Sequence, residues 1–178
     1  MNESTFSRRS LLQAAGLGAA GLAAQGLDGG LLSAADAPAA ELTKLSDHLW
    51  VYHGPINVGI VRDGEKALLI DCGDASVLGA LPGLGIKSVA QVLFTHHHRD
   101  QACGAHVLAE AGAKLAVPAS ERDCFDKVAA YWANPKSRWH LYDIHPHHLM
   151  LAEPVDVAGT VADGDSLTWG PAKVRVLT

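Results

Sequence analysis

The chain has 178 residues, a formal net charge of −5 and a hydrophobic content of 48%. Its net charge is negative and no run of basic residues follows Arg9. The sequence therefore lacks the basic patch that is typical of nucleic-acid-binding proteins. We therefore expect no nucleic-acid partner. The length suffices for one modest domain, and the apolar content is that of a globular protein.

The N-terminal segment predicts an export signal. The sequence SRRSLL at residues 7–12 resembles the twin-arginine export motif, and an apolar region rich in Ala and Gly follows it as far as Leu27. This region is too short and too rich in small residues to span a bilayer stably. Small residues at 33–35 suit cleavage, so we assign residues 1–35 to the signal and residues 36–44 to a linker. We expect a periplasmic or secreted protein without a stable membrane span; an uncleaved anchor helix is the alternative.

Strands and tight turns are predicted in the first part of the mature chain. Apolar residues alternate over residues 48–53, which is typical of a half-buried strand. Residues 56–62 and 66–70 flank Asp63-Gly64, a dipeptide that favours a hairpin. A short helix is predicted over residues 75–81.

Strand and helix then alternate. The apolar run at residues 89–95 predicts a buried strand, and residues 102–111 a helix that ends at Gly112. Residues 114–117 predict a short strand, and residues 118–132 a second helix. This alternation predicts an α/β layered domain.

The sequence FTHHHRDQ, residues 94–101, lies where the strand at 89–95 gives way to a helix. Side chains two residues apart in an extended segment point to the same side, so His96, His98 and Asp100 are expected to share one side. Two imidazoles and a carboxylate suit a borderline metal such as zinc, and loops at strand ends are where ligands converge. The motif therefore predicts a metal site; a surface His tract without a metal is the alternative.

Three segments together resemble the metallo-β-lactamase superfamily. They are the His-x-His-x-Asp motif at residues 96–100, LLIDCG at residues 68–73, which resembles a strand ending in an Asp-x-Gly turn, and VADGDSL at residues 161–167, which resembles a later hairpin. Their order and spacing agree with the family over residues 45–178. The resemblance implies an α/β fold, the four-layer αββα sandwich of that family, with mainly its N-terminal half in this chain.

The resemblance also implies roles for the residues of the motif. His96 and His98 correspond to ligands of a first metal, and Asp100 to a ligand of a second. The family usually has a His directly after this Asp, where the chain has Gln101; its amide oxygen would be a weaker, substituted ligand. One or two zinc ions are thus implied.

In the family, the last strand of this region leads into a turn that carries the third ligand of the first metal. The chain reaches Thr178 before such a turn. We therefore expect it to be the N-terminal part of a metallohydrolase, either a fragment or a truncated gene product.

The turn after the second segment is predicted to support the metal site. The resemblance implies that Asp71 hydrogen-bonds the metal loop and thereby orients the ligands; a plain turn former before Gly73 is the alternative. Two of the three cysteines, Cys72 and Cys103, are expected near the metal. Buried free thiols, a disulfide between them and a metal role for Cys103 all stay open.

Residues 133–152 are rich in His and aromatic residues and too irregular for a clean helix. In the family, such segments often overhang the active site. Trp139, His140 and His145 are therefore predicted to line the substrate cleft, with solvent-exposed loop residues as the alternative.

Together these features predict an exported zinc-dependent hydrolase that acts on a small molecule. Bound zinc lowers the pKa of its water to about 7, and the hydroxide would attack an ester, thioester, lactam, lactone or phosphoester. Asp100 is the predicted catalytic residue, which holds or orients the nucleophile or binds the second metal. The alternatives are a non-catalytic metal- or ligand-binding protein and a di-iron redox protein on the same fold. The sequence predicts no oligomeric state.

Overall fold

The computed structural model describes residues 41–134, 136, 151 and 153–177. The predicted signal at 1–35 and the predicted cleft residues Trp139, His140 and His145 lie outside the described residues. Among those described, nine strands form two sheets, and their bounds are β1 (Glu41–Lys44), β2 (Leu49–His53), β3 (Asn57–Asp63), β4 (Lys66–Ile70), β5 (Ser88–Leu93), β6 (Lys114–Pro118), β7 (Val157–Val161), β8 (Ser166–Trp169) and β9 (Ala172–Arg175).

The larger sheet has seven strands in the order β1-β2-β3-β4-β5-β6-β7. Strands β1 to β4 pair antiparallel, and β4 to β7 pair parallel. The predicted hairpin is confirmed, because β3 and β4 pair up to Asp63↔Lys66 and Gly64 turns the chain with φ +58°. Residues 41–44, which the sequence analysis assigns to a linker, form the edge strand β1 instead. Parallel pairing brings the carboxyl ends of β4, β5 and β6 to one edge.

The segment between β4 and β5 differs from the predicted helix over 75–81. It forms two 3₁₀ helices, Ser76–Gly79 and Leu81–Leu84, separated at Ala80. Pro82 lies at the start of the second helix rather than after the first. Proline is tolerated there because the first N–H groups of a helix have no partner within it.

The helix predicted over 102–111 is two helices, α1 (Arg99–Ala102) and α2 (Ala105–Glu110). The interruption lies at Gly104, whose N–H donates to the carbonyl of Gly73 at 2.7 Å. A tertiary hydrogen bond therefore replaces the helical one at this point.

The helix predicted over 118–132 is also divided. It consists of a 3₁₀ turn, Ala119–Glu121, followed by α3 (Arg122–Asp126) and α4 (Val128–Ala133). The carbonyl of Phe125 accepts the N–H of Val155 at 3.0 Å, so it is engaged outside the helix. This contact accounts for the break before α4.

The larger sheet is covered on both faces. Neighbouring residues of its central strands separate into two clusters, because successive side chains point to opposite faces. Leu69 and Val92 belong to the large cluster that includes helix residues such as Phe125, whereas Leu68 and Leu93 belong to a second, smaller cluster. The described residues thus form three layers: helices, the seven-stranded sheet and the two-stranded sheet of β8 and β9.

The segment at 161–167 leads from β7 into a hairpin whose strands are β8 and β9. Its two ends belong to different sheets, since β7 pairs with β6 while β8 pairs antiparallel with β9. Leu167 and Trp169 pack against the smaller cluster, so β8 crosses onto that face of the sheet instead of extending its edge. No α-helix in the described part of the chain has the length and apolarity needed to cross a membrane.

Candidate metal centre

Residues 95–98, here called the metal loop, leave the carboxyl end of β5 between two neighbouring strand ends. The N–H of Asp71, directly after β4, donates to the carbonyl of Leu93 at 2.8 Å. On the other side, the N–H of Phe94 donates to the carbonyl of Ala116 in β6 at 2.9 Å. The loop therefore begins from a chain held on both sides, which favours a defined geometry for its side chains.

The metal loop brings His96 and His98 together as predicted. Nε2 of His96 lies 3.2 Å from Nδ1 of His98, and the ring centroids are 5.1 Å apart. Two nitrogens bound tetrahedrally to one zinc at 2.0–2.1 Å would be about 3.3 Å apart. The two imidazoles therefore fit two ligand positions on one zinc ion.

A hydrogen-bond chain determines which ring nitrogen of His96 carries the proton. The other nitrogen, which faces His98, is then an acceptor. The Thr95 hydroxyl donates to Oδ2 of Asp71 at 2.7 Å and lies 2.9 Å from Nδ1 of His96. Since the hydroxyl has one proton, its contact with His96 requires Nδ1–H to be the donor. Nε2 of His96 is then unprotonated and available to a metal. Asp71 thus contacts the metal loop through Thr95, and its role in orienting metal ligands stays a prediction.

Asp71 is a buried acid in strained backbone. It is 6% exposed, has φ +61°, and also accepts the backbone N–H of Thr95 at 2.9 Å. Burial raises the pKa of Asp71, while the two hydrogen bonds from Thr95 and the nearby His96 oppose that rise. Burying the charged Asp71 carboxylate in this hydrogen-bond chain therefore lowers the stability of the folded state.

Asp100 and Gln101 lie on α1, directly after the loop. Asp100 is half-buried, and the backbone carbonyl of Gln101 accepts the N–H groups of Cys72 and Gly73 at 3.2 and 3.1 Å. Across residues 41–134 and 151–177, as far as they are described, no three His, Cys, Asp or Glu side chains form a group that could hold a metal. The two histidines are the ligands that the structure brings together, and metal roles for Asp100 and Gln101 stay predictions.

Cys72 and Cys103 are buried free thiols, which is one of the three alternatives left open by the sequence. The Cys103 Sγ donates to the carbonyl of Gly73 at 3.1 Å. Burial raises the pKa of Cys103 to about 11 and raises the pKa of Cys72 further. Both groups are therefore protonated near neutral pH in the metal-free protein, and a metal role for Cys103 stays open.

Gly104 allows the helix after the loop to approach the turn that carries Asp71. A Cβ on Gly104 would lie 2.5 Å from the backbone N of Ala75 and 2.6 Å from the backbone C of Asp74. The Gly104→Ala variant is therefore expected to lose about 1–3 kcal/mol of unfolding free energy, measured by urea denaturation. Gly79→Ala is the matched control, since its Cβ would meet no atom within 4 Å. Equal stability of the two variants would contradict the close approach.

His97, which the sequence analysis does not single out, anchors the loop on the side opposite its two neighbours. Its ring is 6% exposed and packs edge-on against Phe125 and Tyr131, with centroids 5.1 and 5.0 Å away. Burial lowers the pKa of His97 to about 4, so the imidazole is neutral near pH 7. Its backbone N–H donates to the carboxylate of Glu121. The position of His97 between His96 and His98 could have identified this role. In an extended segment, a residue between two ligands points to the opposite side.

Comparison with known proteins identifies the family. The sequence profile of the metallo-beta-lactamase superfamily matches residues 51–165, more than half of the chain. A search of curated protein sequences finds no match.

Solved structures of metallo-β-lactamases share the fold. A Cronobacter sakazakii enzyme described by its HARLDQ motif has a TM-score of 0.59 at 18% identity, over 77% of this chain and 54% of its own. The subclass B3 enzyme BJP-1 of Bradyrhizobium japonicum has a TM-score of 0.58 at 23% identity, over 77% of this chain and 51% of its own. MIM-1 of Novosphingobium pentaromativorans has a TM-score of 0.53 at 27% identity, over 71% of this chain and 46% of its own.

The chain spans about half the length of these relatives. The HARLDQ motif of the Cronobacter protein agrees with residues 96–101 of this chain at its first, fifth and sixth letters, including the final Gln. The profile match, the strand order and the paired histidines lead to one conclusion: the chain belongs to the metallo-β-lactamase superfamily.

Proposed function

We propose that the protein is a metal-dependent hydrolase that acts on a small-molecule ester, thioester, lactam, lactone or phosphoester. The observation that carries the proposal is the 3.2 Å approach of His96 Nε2 to His98 Nδ1, with the His96 tautomer fixed by Thr95. Family membership supports a hydrolase but selects no substrate, because one fold hosts many reactions.

Zinc is the proposed metal, held by Nε2 of His96 and Nδ1 of His98. When bound, it would supply Lewis acidity and lower the pKa of a coordinated water to about 7. Thr95 and Asp71 keep the His96 nitrogen unprotonated and fix its ring. Without metal, Nδ1–H of His98 then donates to Nε2 of His96, so the His98 proton must move to its Nε2 before Nδ1 can bind zinc. Asp100 is proposed to hold or orient the nucleophile, or to bind a second ion. A catalytic zinc usually has three protein ligands, and we place the third outside the described residues.

Metal content and hydrolysis test this proposal directly. The full-length protein should contain zinc, and it should hydrolyse at least one member of a panel covering the five substrate classes. A chelator should abolish that hydrolysis, and added zinc should restore it. Hydrolysis that persists unchanged after the metal has been removed would rule the proposal out.

A non-catalytic metal- or ligand-binding protein is the second candidate. Gln101, in place of the usual His, and the two-histidine site of the described residues favour it. A protein that binds zinc tightly but hydrolyses no member of the panel would support this candidate over the enzyme.

Export is proposed together with the hydrolase. The sequence SRRSLL at residues 7–12 supports the twin-arginine route and a periplasmic or secreted location. Replacing Arg8 and Arg9 together by Lys should retain the protein in the cytoplasmic fraction, because Lys keeps the charge but not the guanidinium group. Immunoblots of cell fractions test this, and the unchanged location of the double variant would exclude the route.

A further inference from the structure

Glu121 lies on the side of the metal loop opposite Asp71. Strand β5 runs between β4 and β6, and all three are parallel. Asp71 follows the carboxyl end of β4, and the short 3₁₀ turn after β6 ends at Glu121. The strand order therefore places one acidic residue on each side of the loop.

The two acids bind alternate N–H groups of the loop. The N–H of Thr95 donates to Asp71, and the N–H of His97 donates to Glu121. Buried backbone donors need acceptors, and a hydrogen bond to a carboxylate is stronger than one to a neutral group. The loop backbone is thus held at two points, one residue before each proposed ligand in the chain.

Contacts of the His97 ring support the same arrangement. Phe125 of α3 and Tyr131 of α4 pack against it, and both follow Glu121 in the chain. One continuous segment therefore binds the backbone of His97 and encloses its side chain. A rotation of this residue would also turn its neighbours His96 and His98 away from each other.

We propose that Glu121 is a positioning residue for the metal site. Its carboxylate fixes the backbone of His97 and thereby holds Nε2 of His96 and Nδ1 of His98 at the spacing that one metal ion requires. It touches neither the metal nor the substrate. The inference rests on the proposed metal-dependent function for its consequence, but the contact itself can be tested in the metal-free protein.

The experiment compares Glu121→Ala, Glu121→Gln and the control Glu110→Ala in the full-length protein. Glu110 is an exposed acid at the end of α2, so its removal changes the net charge equally. Glu121→Ala should weaken zinc binding by roughly tenfold, the lower end of the range for groups that orient metal ligands. It should also change the visible spectrum of the cobalt-substituted protein, which reports ligand geometry. Glu121→Gln keeps an acceptor oxygen and should recover most of the affinity, and Glu110→Ala should match the wild type.

Amide hydrogen exchange at His97 provides the readout without metal. Exchange should be faster in Glu121→Ala than in the wild type and should be protected again in Glu121→Gln. Unchanged exchange and unchanged zinc affinity in Glu121→Ala would overturn the inference. A wild-type protein that binds no zinc would instead overturn the proposed function, while the exchange rates would still decide whether Glu121 positions the loop. If Glu121→Ala does not fold, Glu121→Asp takes its place, since the shorter side chain should expose the His97 amide.

Discussion

The His96→Ala variant is expected to bind zinc more than about 100-fold more weakly than the wild type. Loss of a residue that only orients a ligand costs about 10–100-fold, and loss of the ligand itself should cost more. The variant removes the nitrogen that lies 3.2 Å from Nδ1 of His98, one of the two proposed zinc ligands. Competition with a chromophoric chelator measures the affinity, and hydrolysis of the best substrate should fall in parallel.

His106→Ala is the matched control for this variant. His106 is an exposed residue of α2, ten positions along the chain and outside the metal loop. Its replacement should change neither zinc affinity nor hydrolysis. The His96 ring is only half-buried, so both variants should keep the urea midpoint of the metal-free protein. Wild-type zinc affinity in His96→Ala would show that the metal, if present, binds elsewhere.

The positions of strands β2 to β6 and the approach of His96 to His98 could be predicted because both depend on local sequence. Apolar alternation and a turn dipeptide at Asp63-Gly64 determine the β3–β4 hairpin. The spacing of His96 and His98 after an apolar strand places both rings on one side of a strand end, and the structure has them in contact. These features follow from the geometry of single elements.

Helix boundaries could not be predicted, because distant parts of the chain decide them. The break at Gly104 depends on the carbonyl of Gly73, and the break after Phe125 on the N–H of Val155. The helical pattern is continuous in sequence at both places. Likewise, β8 does not join the larger sheet, and its residues Leu167 and Trp169 pack against a cluster formed by other strands.

The residues that hold the metal loop in place could be predicted only in part. A role for Asp71 was predicted from resemblance, but its route through the Thr95 hydroxyl depends on contacts between neighbouring strands. Glu121 lies in the helix predicted over residues 118–132, and neither Glu121 nor His97 was assigned a role in the site. Their contact becomes visible once β5 and β6 are known to be parallel neighbours. A motif therefore locates the ligands, while strand order identifies what holds them.

The Asp71→Asn variant is expected to weaken zinc binding by about 10–100-fold while the metal-free protein keeps its stability. The side-chain oxygen of the Asn can accept the N–H of Thr95. The NH₂ group of the Asn then faces the Thr95 hydroxyl. That hydroxyl must then accept from Asn and donate its proton to Nδ1 of His96. His96 would switch to the tautomer protonated at Nε2, the nitrogen that faces His98 and is proposed to bind zinc.

Stability should change differently from affinity, because burial raises the pKa of Asp71 above its ordinary value of 3.8. The folded state then binds the proton more tightly than the unfolded state, so the charged carboxylate costs stability above its folded pKa. This cost disappears as the pH falls below 3.8, and a neutral Asn avoids it at every pH. At pH 7 the metal-free variant should therefore be at least as stable as the wild type.

Nitrogen NMR of the imidazoles tests the tautomer, and chelator competition tests the affinity. Thr95→Ser is the control, since it keeps the hydroxyl and should keep the wild-type tautomer and most of the affinity. If Asp71→Asn bound zinc as tightly as the wild type with His96 still protonated at Nδ1, the hydrogen-bond chain would not control the ligand. If affinity and stability fell together, Asp71 would serve the fold in general rather than the metal site in particular.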